Sequence, residues 1–233
     1  VSQFVLVSTD KAVNPVNVMG ATKRIAEKLI QSFNAESDTS YMAVRFGNVL
    51  GSSGSAIPTF QNQIDDGGPI TITHPEMTRY FMSIQEASQL ILQCSSLGHD
   101  GEIFLLKMGK PVKIVQLAKD LIRLSGLEPD VDIPIVYTGL RPGEKLYEEL
   151  QLYDEKKVNT EHEKIMVLTD SKSLIKWSDL YSVINELILA ASELDSDKIQ
   201  TIIKQLLPTY QPRVYTSVPG KDSTESFSIR GEA

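Results

Sequence analysis

Thr9, Asp10 and Lys11 stand in a row, and a second lysine, Lys23, follows Met19 by four positions. A carboxyl beside an amine is equipment for proton transfer, since one can give a proton while the other takes one. The Thr9 hydroxyl can relay a proton, and Lys23 can donate to a ligand's oxygens. The change of element around them decides where they sit. Phe4 to Val7 is a short apolar, β-rich run of the kind buried in parallel sheets. The polar residues after it fall at the strand's carboxyl end, where open α/β sheets bind their ligands. Pro15 can only open or precede a helix, and Ala21, Ile25, Ala26, Leu29, Ile30 and Phe33 then recur with helical spacing. Met19 and Lys23 therefore share one helical face.

The string from Val7 to Arg24 resembles the active-site strand and helix of extended short-chain dehydrogenases/reductases. Within them it is most similar to the polysaccharide-biosynthesis enzymes that carry out 4,6-dehydration of UDP-N-acetylglucosamine. Most of that superfamily has Tyr four residues before the Lys; this chain has Met19 there, which has no proton to exchange. One subgroup, the large membrane-anchored dehydratases, has Met at that position beside a Thr-Asp-Lys triplet, and Thr9, Asp10 and Lys11 match it. The similarity runs from about Phe4 to Ile165.

The resemblance implies a reaction and a cofactor, NAD. Hydride leaves C4 of the sugar, which acidifies the C5 proton; water is eliminated across C5 and C6, and hydride returns to C6. Lys11 would remove the C5 proton, Asp10 would protonate the departing C6 hydroxyl, and Lys23 would bind the nicotinamide ribose, with Ser8 also on the cofactor side. Thr9, or a water that it holds, would relay the C4 hydroxyl proton, with Met19 replacing the usual phenol. Burial in a dry pocket favours the neutral form of both an amine base and a carboxylic acid, while an intact Asp10 to Lys11 ion pair would leave both inert. Side chains of consecutive residues in an extended segment diverge, so separate roles are expected for them. Asn48 resembles the Asn aimed at the sugar-nucleotide diphosphate. Arg79 and Arg141 resemble its arginines, which suit phosphate because a planar fork bonds it bidentately. Glu144 would bind ribose hydroxyls, and Thr71 and Gln61 would line the nucleoside pocket.

The wider pattern fits this reading. The expected fold is α/β: the carboxyl-terminal part of a Rossmann-like parallel sheet (residues 1–55 and 78–108), a smaller α/β substrate lobe (56–77 and 109–165) and a helical tail (166–210). Strands are expected over Tyr41 to Phe46, Ile70 to Thr73, Glu102 to Met108 and Ile133 to Tyr137. Helices are expected over Ile57 to Ile64, Ile84 to Leu97, Pro111 to Gly126, Leu174 to Leu194 and Asp197 to Leu207. Residues 211–233 have a polar, disordered composition. The 233 residues contain no Gly-x-Gly-x-x-Gly turn for a dinucleotide, so the missing strands are expected upstream.

A net charge of −7 argues against nucleic acid as a partner, and scattered histidines give no metal site. The lone Cys94 lies in a helical apolar pattern and reads as core. No apolar run approaches the ~20 residues of a membrane span. A cytoplasmic piece is expected, its partners a UDP-sugar and further copies of itself, with any membrane anchor upstream. Glu144-Lys145 with Glu148-Glu149, and Asp154 to Lys157, read as solvated faces. Two rival readings share these residues: a nucleotide-sugar 4-epimerase and a non-catalytic nucleotide-sugar-binding fragment.

Overall fold

The computed structural model describes residues 1–34, 36–52, 54–98, 101–169 and 175–212. Strand β1 (Gln3–Val7) leads through a 3₁₀ turn (Asp10–Ala12) into α1 (Val18–Asn34), then β2 (Ser40–Arg45) and β3 (Asn48–Val49). There follow α2 (Ala56–Asp65), β4 (Ile70–Ile72), β5 (Thr78–Arg79), β6 (Phe81–Met82), α3 (Ile84–Leu97) and β7 (Ile103–Leu106). The remainder comprises β8 (Val112–Lys113), α4 (Ile114–Leu124), β9 (Ile135–Tyr137), β10 (Lys156–Asn159), β11 (Ile165–Thr169), α5 (Trp177–Ser192) and α6 (Ser196–Leu206).

The main sheet has the order β1-β2-β7-β11-β10. β1, β2 and β7 run parallel, joined by crossovers through α1 and α3, and β11 and β10 add on antiparallel. Alternation along the strands divides their side chains between two faces. Met42 and Val44 of β2, with Phe104 and Leu106 of β7, pack with Ala87, Leu90 and Cys94 of α3. Ala43, Ile103 and Leu105 point the other way, with Ile30 of α1 and Leu168 of β11. A sheet covered on both faces explains why these strands read as continuous apolar runs. Burial pushes the Cys94 thiol up to about 12, in keeping with a packing role.

A second core gathers Phe60 and Ile64 of α2, Ile70 and Ile72 of β4, Met77, Ile114, Ala118 and Ile122 of α4, and Ile133. Here β4 pairs in parallel with β9. The tail helices do not stand apart: Leu180 and Ala190 of α5 and Ile202, Ile203 and Leu206 of α6 close over Ala21 and Ile25 of α1.

Two expectations about organisation need correcting. The expected substrate lobe includes residues 156–165 and the expected helical tail 166–169, yet β10 and β11 form a hairpin on the main sheet. The apolar run Ile165–Thr169 carries the pairing, while the polar β10 is its exposed outer edge. The helix expected from Pro111 begins at Ile114, because Val112 and Lys113 pair with Thr78 and Arg79 as β8 and β5. Residues 171–174 and 213–233 lie outside the described residues, and with them Leu174 and nearly all of the segment expected to be disordered.

Candidate active site

At the carboxyl end of β1 the chain does not stay extended. Thr9 caps the 3₁₀ turn, its hydroxyl oxygen accepting from the Lys11 amide and its O–H donating to Asp10 Oδ1 at 2.9 Å. Turning instead of extending brings consecutive side chains together: Lys11 Nζ lies 3.0 Å from Asp10 Oδ1. The expectation that they diverge is overturned, and the ion pair is closed. Lys11 also donates to Asn48 Oδ1 at 3.3 Å, and Asn48 Nδ2 donates to the Tyr80 carbonyl. Asp10 is fully buried while the Lys11 side chain keeps 27% exposure, so the amine is the member of the pair that meets solvent.

The helix that follows is held hard against this turn. Asn17, just before α1, accepts from the Gly20 amide at 2.8 Å, the bond expected of a capping Asn. Gly20 packs so closely that a Cβ there would overlap the Lys11 carbonyl oxygen. Met19 is about half exposed on the first turn of α1, and Lys23, one turn on, donates to the Val7 carbonyl at 3.3 Å.

The 139–149 segment closes the site from the other side. Asn17 Nδ2 donates to the Gly143 carbonyl, and the buried Lys145 ammonium donates to the Val13 carbonyl and to Glu149, both bonds 2.8 Å. Glu144 accepts from Thr73 and from the Arg141 amide. The exposed Arg141 side chain has no hydrogen bond or ion pair among the described residues.

Three expected placements change. Arg79 spends its guanidinium on the protein: it donates to the carbonyls of Thr78, Lys145 and Leu146 and faces Glu144 and Glu148 at 3.7 and 3.5 Å. It staples the segment, leaving no fork free for a diphosphate. The Ser8 hydroxyl, expected on the cofactor side, is buried and donates to Glu27 at 2.6 Å. Gln61 is exposed on α2, and Gln63 is the residue that bonds Thr71. The two charge runs read as solvated are split: Lys145 and Glu155 are buried and the Glu148 side chain is 3% exposed, whereas Lys156 and Lys157 are exposed.

Glu155 belongs to a buried charge cluster that sequence reading did not find. Arg45 of β2 bonds Glu27 of α1 and Glu155 bidentately at 2.6–2.9 Å, and Arg24 reaches both carboxylates at 2.8 and 3.4 Å. Burial alone would push the Glu27 carboxyl up, but Arg45, Arg24 and Ser8 outweigh it and hold it below the usual carboxylate range. The cluster fastens the end of β1, through Ser8, to α1, β2 and the start of the hairpin.

What the geometry defines is a Rossmann-like α/β site, with a carboxylate and an amine at the end of a parallel strand and a segment closing over them. A family profile described as "Polysaccharide biosynthesis protein" matches residues 1–170. The capsular polysaccharide biosynthesis protein CapD of Staphylococcus aureus is 70% identical over 151 residues, which is 64% of this chain and 25% of CapD. A UDP-glucose 4-epimerase of Rickettsia canadensis is 41% identical over 153 residues, 64% of this chain and 43% of that protein. The X-ray structure of Pen from Bacillus thuringiensis aligns with a TM-score of 0.67 at 36% identity, covering 74% of this chain and 53% of Pen. Dehydratase and epimerase structures solved with NAD, at 15–20% identity and TM-scores of 0.53–0.58, share the fold.

The chain belongs to the polysaccharide biosynthesis protein family, on the extended short-chain dehydrogenase/reductase fold. It spans a quarter of CapD's length. No helix among the described residues is long and apolar enough to cross a membrane.

Proposed function

We propose that this chain carries the proton-transfer residues and the nucleotide-sugar loop of an NAD-dependent enzyme that converts UDP-N-acetylglucosamine to a 4-keto-6-deoxy sugar nucleotide for surface glycans. The observation that carries the reading is the closed Asp10–Lys11 pair at the end of β1, in a site whose Tyr position is held by Met19. An acid and a base in contact suit elimination of water, which needs one proton taken and one given.

The rim beside β1 fits the nicotinamide end of NAD. Lys23 has three ammonium donors and spends one on Val7, and the half-exposed Val7 and Met19 flank it with apolar surface. Lys23 would hold the ribose there. When bound, NAD supplies the redox chemistry at C4 and C6. The protein's part is the proton traffic. Moving one proton across the 3.0 Å bond turns the ion pair into a Lys11 amine and an Asp10 acid, with no change in total charge. The amine then takes the C5 proton while the acid protonates the leaving C6 hydroxyl, and the pair is left as the ammonium and carboxylate seen here. Lys11 later returns its proton to C5. The proton lost from the C4 hydroxyl at the outset leaves through Thr9 or its water to solvent, and a proton taken up from solvent by the same route after the elimination restores the acid on Asp10. Arg141 and Glu144 would hold the UDP, with Asn48 beside the diphosphate and Thr71 toward the nucleoside.

The 41% identical epimerase motivates a second reading, hydride return to C4. One experiment separates the two: the complete protein is incubated with NAD and UDP-N-acetylglucosamine and the product is weighed and its sugar identified. Loss of one water is expected; an isomer of unchanged mass sinks dehydration, and no turnover sinks both.

A further inference from the structure

Two carboxyl oxygens at the site are buried without a hydrogen-bond partner, Asp10 Oδ2 and Glu148 Oε2. Buried carboxyl oxygens left unpaired are costly in the charged form and mark places where protons are held or exchanged. Glu148 follows the Arg141 loop, its side chain 3% exposed, with Oε1 4.0 Å from Lys11 Nζ and 3.5 Å from Arg79 Nε. The groups that act on it are Lys11 and Asp10 from the 3₁₀ turn, Arg79 from β5 and Lys145 from its own segment. Lys145 is already matched by Glu149. Lys11 and Arg79 are cations, and Asp10 and Glu144 already face them as anions, so an ionised Glu148 would be a surplus charge. Burial is the largest influence and Asp10 adds to it; together they hold the Glu148 carboxyl above its usual range, against Lys11, Arg79 and Lys145.

We propose that Glu148 is a positioning residue for the proton transfer, acting through Lys11: a neutral Glu148 lets the Lys11 proton pass to Asp10, and an ionised Glu148 keeps Lys11 an ammonium. The inference rests on the reading of Lys11 as the base. With Glu148 neutral, the proton moves from Nζ to Asp10 and leaves an amine and an acid, all uncharged. With Glu148 ionised, the same move removes the cation between two carboxyl groups and leaves Glu148 with Arg79, which Glu144 shares, as its remaining ion-pair partner, so a buried carboxylate loses part of its compensation. Turnover should therefore fall as pH rises through the Glu148 ionisation.

The test is the pH profile of kcat for the complete enzyme with NAD and UDP-N-acetylglucosamine, comparing wild type with Glu148→Gln. Gln is a permanently neutral near-isostere. Turnover at the wild-type optimum should stay within about three-fold, KM should hold, and the alkaline limb should move up by about one pH unit or more. Carbon NMR of glutamate-labelled wild type should show one carboxyl titrating above the ordinary range, absent from Glu148→Gln. Superimposed pH profiles, or no such carboxyl in the wild type, overturn the proposal; the second measurement stands even where the variant does not fold. A loss of about 100-fold at every pH in a folded variant overturns it too, by making Glu148 a catalytic group in its own right. Lys11→Met separates the two failures. If it keeps its turnover, the base reading fails whatever Glu148→Gln does. If it loses turnover while Glu148→Gln leaves the profile unmoved, only this inference fails.

Discussion

Replacing Arg45 with Met should cost the fold more than replacing any residue whose side chain reaches the sugar. Arg45 is fully buried and makes four charge-assisted bonds, two to Glu27 and two to Glu155. At about 1.5–3 kcal/mol each, their simple sum overshoots, because both carboxylates keep other partners. Glu27 retains Arg24 and Ser8, and Glu155 retains Arg24 and the Leu152 amide. The better guide is the measured cost of removing one member of a buried ion pair, about 3–5 kcal/mol. For a chain of this size that corresponds to roughly 6–20 °C in Tm. Thermal and urea melts followed by circular dichroism read it directly. A loss below about 1 kcal/mol would refute the reasoning. The sign with pH can be stated too. Glu27 is held below its unfolded value, so its stabilisation is fully present above the ordinary Glu range, about pH 4.3, and is lost as pH falls through the folded value. The stability gap between wild type and Glu27→Gln should therefore shrink on acidification.

The site gives further expectations. Lys11→Ala and Asp10→Asn in the complete enzyme should each lower kcat by about 100-fold or more, the usual scale for a positioned acid or base; near-normal turnover in both would end the assignment. Gly20→Ala should cost about 1–3 kcal/mol by overpacking, because its methyl would meet the Lys11 carbonyl, and should lower turnover with it; an unchanged melting curve would show that α1 can move away freely. Arg141→Ala should raise KM about ten-fold with kcat changed less, since its free guanidinium is remote from the reacting carbons, while Arg79→Ala should lower Tm as well as activity. Calorimetric UDP affinity left unchanged by Arg141→Ala would remove that residue from the diphosphate.

Periodicity made much of this legible. α1, β2, α3 and the tail helices bury one stripe or both faces of a sheet, and those constraints are written at spacings of two and 3.6, whereas the Phe4 to Val7 run, expected as a buried strand, forms β1 at the sheet's edge with Phe4 and Val7 exposed. The Thr9-Asp10-Lys11 triplet was legible as chemistry because its residue types are reactive and its neighbours end a strand. Glu148 and Glu155 were not. A local run of charges usually faces water, and nothing near Glu155 in sequence announces that its partner is Arg45, 110 positions away. Arg79 was read as a phosphate ligand for the same reason: its own string says Arg, but only tertiary structure says that carbonyls already occupy its donors. The helix expected through Val112 and Lys113 failed more locally, at residues whose pairing with β5 overrides the start of an amphipathic helical pattern.

The 139–149 segment explains why so many of these non-local bonds converge on one place. It contains no helix or strand, so no ladder of backbone bonds fixes it. A segment of that kind stays put only if side chains from elsewhere satisfy its backbone and compensate its entropy. Here Asn17 holds the Gly143 carbonyl, Arg79 holds those of Lys145 and Leu146, and Thr73 holds Glu144, while the segment's own Lys145 reaches back to Val13. These fasteners come from the stretch between β1 and α1 and from the neighbourhood of β4 and β5, so the segment bridges the two. It carries an exposed Arg141 toward one end and the buried Glu148 beside Lys11 toward the other. On the proposed function, a substrate gripped at Arg141 would pull on the same stretch that sets the surroundings of Lys11. Loosening Arg79 should then disturb both binding and proton transfer, whereas removing Arg141 should disturb binding first.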